Sequence, residues 1–193
     1  ELKAILQTDP TQDEILGLAL RMLMAEDRDD EAVALAEDVA KRRGSPGVLY
    51  ANLGDLFATL GRKNHAIAFY KSAVAADSRT SHISRYVNLL LSQKPPNITE
   101  AEAALSKVQE RIYRDPELLL SRAGVRRARN NGAESRRDVI ASMKLVPPDQ
   151  IGQMQTWFSS AFSLFGPQEL LMMLEVLSKE GGNPDWVSFF HGR

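Results

Sequence analysis

The sequence predicts an all-α protein, an α-solenoid in which antiparallel helix hairpins stack one after another. Three observations carry this. Helical apolar spacing runs almost end to end, rich in alanine and leucine and without alternating runs of β-branched residues. Short breakers separate the helical runs. Small residues recur midway along every other run, at Gly17, Gly54, Asn88, Gly124 and Ala161, with gaps of 37, 34, 36 and 37 residues. A fixed period of this length is the mark of a helical repeat.

Helices are expected at about 11–25, 29–43, 46–60, 63–76, 80–93, 99–114, 116–130, 133–145, 148–165 and 167–181. Residues 1–9, ELKAILQTD, read as the second helix of a preceding repeat, because TDP at 8–10 echoes RDP at the helix junction 114–116. Asp29, Asp30 and Glu31 open the second helix of the first hairpin, where acidic side chains suit the helix dipole. Gly44 and Gly61 follow helical runs and suit a left-handed cap. In LYANLGDLFATLGR, residues 49–62, Leu49, Leu53, Leu56 and Leu60 form one apolar face with Gly54 among them. A mid-helix glycine costs roughly 1 kcal/mol against alanine, so Gly54 is expected at a close helix contact, with Ala66 as the small partner opposite. Gly54→Leu is expected to destabilise and Gly54→Ala to be tolerated. KPPN at 94–97 cannot lie inside a helix and makes a longer loop. Thr99 is the expected N-cap of the helix after it. Pro116 and Pro148 suit a first helical turn.

Residues 47–80 resemble a tetratricopeptide (TPR) repeat. The pattern of large and small positions is filled by Tyr50, Leu53, Gly54, Phe57, Gly61, Ala66, Tyr70 and Ala73, with Ser78 where the closing proline stands. The flanking stretches follow it more loosely. Residues 115–148 keep Leu120, Gly124, Ile140 and Pro148, but place Arg127 and Arg136 at positions the family keeps apolar or small. The resemblance implies a single TPR-like domain over 1–193 with a right-handed superhelix. Its hairpins are 10–46, 47–80, 81–114, 115–147 and 148–181, and 182–193 supplies Trp186, Phe189 and Phe190 as a terminal cap.

Composition excludes several classes of function. The chain has no cysteine, so disulfides and thiolate metal sites are absent. His65, His82 and His191 are far apart in sequence. No Gly-rich phosphate loop opens a helix, and no catalytic constellation stands out. No enzyme activity, cofactor or metal is expected. Met22, Met24, Met172 and Met173 lie in apolar runs and are expected in the core. No apolar run approaches the ~18 residues of a membrane span. Residue 1 is Glu1 and no signal segment precedes it, which predicts a piece of a longer or processed chain; cytoplasm and periplasm both stay open as compartments. The net charge of -1 hides an asymmetry: residues 1–40 hold eleven acids against three bases, and residues 107–144 ten bases against five acids. The acidic start argues against nucleic acid as a partner.

Arg122, Arg126 and Arg129 share one helical face. Two readings are open: a solvated face paired with nearby acids, or an anion site in a groove, since arginine forks suit carboxylates. In TPR arrays the first helices line the concave side, which holds an extended peptide. Carried over by position, the groove-lining residues are Asn52, Asp55, Arg85, Tyr86, Arg122, Arg129, Phe158 and Phe162, with Thr59, His82, Leu89 and Val125 between them. The set does not match the family's chaperone-tail clamp, since only Asn52 fits in one register and only Arg122 in the next. The expected function is a non-catalytic protein- or peptide-binding scaffold, with an extended, acidic partner segment. Self-association through the acidic first hairpin is a further reading, and a structural spacer in a larger assembly, such as a bacterial secretion or polysaccharide-export protein, is the alternative.

Overall fold

The computed structural model describes residues 2–146 and 151–179. Pro148 and the cap expected at 182–193 lie outside the described residues. Every regular element among the described residues is an α-helix. They are α1 (Leu2–Thr8), α2 (Asp13–Ala25), α3 (Asp29–Arg42), α4 (Gly47–Thr59), α5 (Lys63–Ala76), α6 (Thr80–Leu91), α7 (Ile98–Ser106), α8 (Gln109–Ile112), α9 (Pro116–Ala128), α10 (Gly132–Leu145) and α11 (Ile151–Lys179). The chain divides into two compact units, Glu1–His82 and Ile83–Arg193, and the division falls inside α6.

In the first unit, α2 pairs with α3 and α4 with α5. The turns joining successive helices are tight, within the α4–α5 pair at Gly61 and between the two pairs at Gly44. Gly44 and Gly61 take the expected left-handed conformation, with φ of 76° and 77°. Each lets the chain reverse while a backbone N–H returns to a late helix carbonyl, Gly61 to Ala58 at 3.0 Å. The α4–α5 core is aromatic. Phe57 and Phe69 stack at 4.9 Å between centroids, and the His65 ring lies 5.8 Å from Phe57. Burying each large side chain is worth roughly 1.5–3 kcal/mol.

Gly54 is at a close contact, but the partner differs from expectation. A Cβ there would lie 2.8 Å from the Tyr70 ring, so the aromatic face, and not Ala66, occupies the space. Tyr70 cannot retreat easily: it is buried, and its hydroxyl donates to Asp55. The other small positions diverge. A Cβ on Gly17 would meet nothing within 4 Å, and Asn88 is exposed. Gly47 supplies a contact that periodicity did not reveal, its missing Cβ facing the Asp77 Cβ at 2.9 Å. Helix α1 docks through the fully buried Leu6, and Arg42 donates to the Leu6 carbonyl at 2.7 Å. That places a cation at the C-terminal end of α1, where the dipole favours it.

In the second unit, α9 pairs with α10, and α11 packs on both. Their shared core contains Leu120, Val139, Met143, Met154, Trp157 and Phe165. The helix expected at 99–114 is broken into α7 and α8 at Val108, whose φ of -127° leaves the helical range. Its N-cap is Asn97, not Thr99: the Asn97 side chain accepts from the Glu100 N–H at 3.3 Å and donates to its carboxylate at 2.9 Å. Asparagine outranks threonine in this role. Pro116 begins α9 as expected, with Asp115 capping Glu117 and Leu118. The α11 span holds the two helices expected at 148–165 and 167–181, which meet at Gly166, with φ 73° and Pro167 next. Of the methionines, Met24 and Met173 are in the core, while Met22 is 50% and Met172 53% exposed, contrary to expectation. Each exposed one lies on the outer face of its helix, one or two residues from its buried counterpart.

Candidate functional site

The arginine face of α9 is largely committed inside the chain. Arg122 holds Asp138 of α10 through two hydrogen bonds of 2.9 and 2.7 Å, and its side chain is only 15% exposed. Its guanidinium also lies 4.5 Å from the centroid of the Tyr113 ring. Arg126 reaches the same Asp138 carboxylate at 2.9 Å and Glu134 at 3.2 Å. Arg129 pairs with Glu102 of α7. Of the two readings of these arginines, the geometry matches pairing with nearby acids. The residues that depart from the repeat pattern behave the same way: Arg127 and Arg136 both approach Glu169 of α11, and Arg127 also covers Phe165 at 4.9 Å.

The remaining predicted residues are dispersed. Asn52 and Asp55 belong to the first unit, Asn52 exposed and Asp55 accepting from Tyr70. Arg85, Tyr86, Phe158 and Phe162 belong to the second. Tyr86 is no groove-lining side chain. It is 3% exposed, and its hydroxyl donates to Glu100 at 2.6 Å. Burial and the adjacent carboxylate push its ionisation well above the ordinary tyrosine range. Val125 and His82 are buried as well. Arg85 is exposed on α6 and acts on Glu117 of α9. Partial desolvation and the neighbouring Asp115 raise the Glu117 carboxyl, and Arg85 opposes them. Phe158 packs against the α9–α11 core, while Phe162, its tilted neighbour at 5.7 Å, is 44% exposed.

A groove does exist within the second unit, from different residues. It has a volume of about 500 Å³ and lies between the end of α6 and the first half of α11. Asn88, Leu91 and Ser92 line one side; Ser159, Ser160, Ser163 and Leu164 line the other. Gly124 of α9 sits where Leu91 and Leu164 converge. A Cβ there would lie 3.0 Å from Leu91 Cδ1 and 3.3 Å from Leu164 Cδ2. The missing side chain thus lets two leucines form an apolar floor, with hydroxyls and an amide above it. None of the lining residues is charged. The sequence signal for this site was the run of serines at 159, 160 and 163 in mid-helix, away from the caps and turns that serine favours.

Among the described residues no group of three or more His, Asp or Glu is placed to hold a metal ion. No described helix is long and apolar enough to cross a membrane. No family model matches the sequence, and no curated protein matches it.

Proposed function

We propose that the chain is a non-catalytic, TPR-like binding scaffold whose first helices carry an extended polypeptide segment of a partner. The observation that supports this best is the groove over Gly124. Its walls come from the end of α6 and the first half of α11, and Gly124 of α9 lies where Leu91 and Leu164 converge. An apolar floor under a few polar groups is the usual make-up of a binding cleft, and the volume falls in the usual range for one. The test is selection of a random peptide display library on the immobilised chain, followed by counter-selection on Leu164→Asp. Recovery of peptides that bind the parent and lose the variant supports the reading. A library that yields no peptide dependent on Leu164 removes it.

The spacer reading draws on one observation. Arg122, Arg126, Arg127 and Arg129 each pair with an acid of a neighbouring helix, Arg127 and Arg129 while still exposed. Such pairing holds successive helices in register whether or not the groove is occupied.

A further inference from the structure

We infer that the exposed face of α2 in one copy of the chain seats antiparallel on the exposed face of α11 in a second copy. Leu18 and Met22 lie one turn apart on α2. Leu171, Met172 and Val176 lie on α11 beyond the Gly166 kink, and each of the five is at least 42% exposed. They are half of the ten large apolar side chains left exposed among the described residues, so the exposed apolar surface is concentrated on two helices. Scattered single residues of this kind are ordinary, but rows that repeat each helical turn mark a contact surface.

The charges beside the two rows identify the occupant. Glu14 and Arg21 flank Leu18 and Met22 on α2; Glu175 and Lys179 flank Met172 and Val176 on α11. All four are exposed, and none makes an ion pair with another described residue. By contrast, Arg28, Arg42, Arg43 and Arg62, in the same unit as Arg21, each hold an acid. When the two helices run antiparallel, with Leu18 opposite Val176 and Met22 opposite Met172, Glu14 falls beside Lys179 and Arg21 within one turn of Glu175. Opposite charges then meet at both places. When they run parallel with the same apolar rows matched, Glu14 faces Gln168, about 16 Å along the axis from Lys179, and neither finds a partner. Each face thus finds its complement in the same sequence, and a second copy supplies it. The two faces differ, so the contact is head-to-tail, and it builds an open chain or a ring according to the rotation.

The chain has no cysteine, so introduced thiols report the contact directly. Full-length Leu18→Cys and Val176→Cys chains are mixed and oxidised; a cross-linked dimer is expected from the mixture and not from either chain alone. A contact between two single helix faces is at the small, transient end of interfaces, so sedimentation velocity of the parent is followed up to about 1 mM. Association is expected to rise with concentration, and Met172→Asp is expected to leave a monomer. Glu14→Lys is expected to weaken association at least about threefold, and adding Lys179→Glu to restore it to within about twofold of the parent, since exposed pairs are individually weak. Circular dichroism checks that each variant keeps its helices. A parent that stays monomeric throughout would overturn the inference. So would Leu18→Cys chains that cross-link alone as well as the mixture does, a Leu18→Cys/Val176→Cys chain that closes its disulfide within one monomer, or a charge swap without rescue. Peptide binding read through Leu164 is independent of every one of these outcomes.

Discussion

Gly54 and Gly17 occupy equivalent places in the sequence period, yet the atoms around them differ. At Gly54 even one added carbon lies 2.8 Å from a buried tyrosine ring. Gly54→Ala should therefore destabilise despite its better helix propensity, and Gly54→Leu should cost about 1–3 kcal/mol or more by overpacking. At Gly17 there is no neighbour within 4 Å, so Gly17→Ala should stabilise by about 0.5–1 kcal/mol, from propensity and a less flexible unfolded chain. Urea midpoints for the three variants check the pair of signs; a stabilising Gly54→Ala would show that Tyr70 yields. Asp138 is the costliest polar residue to remove, because two arginines converge on a buried carboxylate. Asp138→Asn should destabilise by about 3 kcal/mol, the lower end for a broken buried pair, since both arginines keep some solvent.

Among the elements, α11 is held on α9 and α10 by more than apolar packing. Ser142 of α10 donates to the Pro116 carbonyl at 2.7 Å and accepts from the Trp157 indole N–H at 2.6 Å. One hydroxyl thus links three helices. Trp157→Phe keeps most of the apolar area and removes the donor. It should cost about 1 kcal/mol for the hydrogen bond, plus the loss of ring volume from the core. Thermal melts of Trp157→Phe and Ser142→Ala, alone and combined, test this. Strictly additive losses would show that the two side chains do not act through one bond. The Arg127 and Arg136 contacts to Glu169 are more exposed, and Glu169→Gln should shift stability by less than about 1 kcal/mol.

For the molecule as a whole, Trp157 is buried in the core of the second unit, Ile83–Arg193, while the other tryptophan, Trp186, lies outside the described residues, so a Trp186→Phe background isolates the Trp157 signal. In that background tryptophan fluorescence follows the second unit, while far-ultraviolet ellipticity follows all helices. Asp138→Asn should move the fluorescence midpoint in urea further than the ellipticity midpoint, because two-state coincidence fails when units unfold separately. Equal shifts would mean that the chain unfolds as one. Acid stability has a named contributor in the first unit. Hydrogen bonds from Arg28, then Lys3, hold the Glu31 carboxyl down at about 2, below its ordinary 4.5. A depressed carboxyl stabilises the folded state above the unfolded value and loses that effect as pH falls through the folded one. The melting-temperature gap between the parent and Glu31→Gln should be present at pH 7 and narrow toward about pH 2. A gap independent of pH would remove Glu31 from the acid transition.

The helices and their ends were legible in the sequence because both depend on neighbours a few residues away. Apolar spacing placed the helical runs up to residue 93 and those at 116–130 and 133–145 within a few residues, but missed the break at Val108; Gly44 and Gly61 marked reversals, and Pro116 marked a start. Caps were less so: Thr99 is the expected cap, but Asn97 takes the role through its i,i+3 contacts with Glu100, a local pattern that apolar spacing does not reveal. The site was the least legible. Position in the repeat predicted Tyr86 and Arg122 for the groove, but tertiary packing turned Tyr86 onto Glu100 and Arg122 onto Asp138. A periodic pattern states which face of a helix a residue occupies. It does not state whether that face meets solvent or the acid of a neighbouring helix, and long polar side chains follow whichever partner lowers their energy. The groove itself arises from residues 88–92, 124 and 159–164 meeting in space, a proximity that local periodicity does not encode and only the packing of three helices decided.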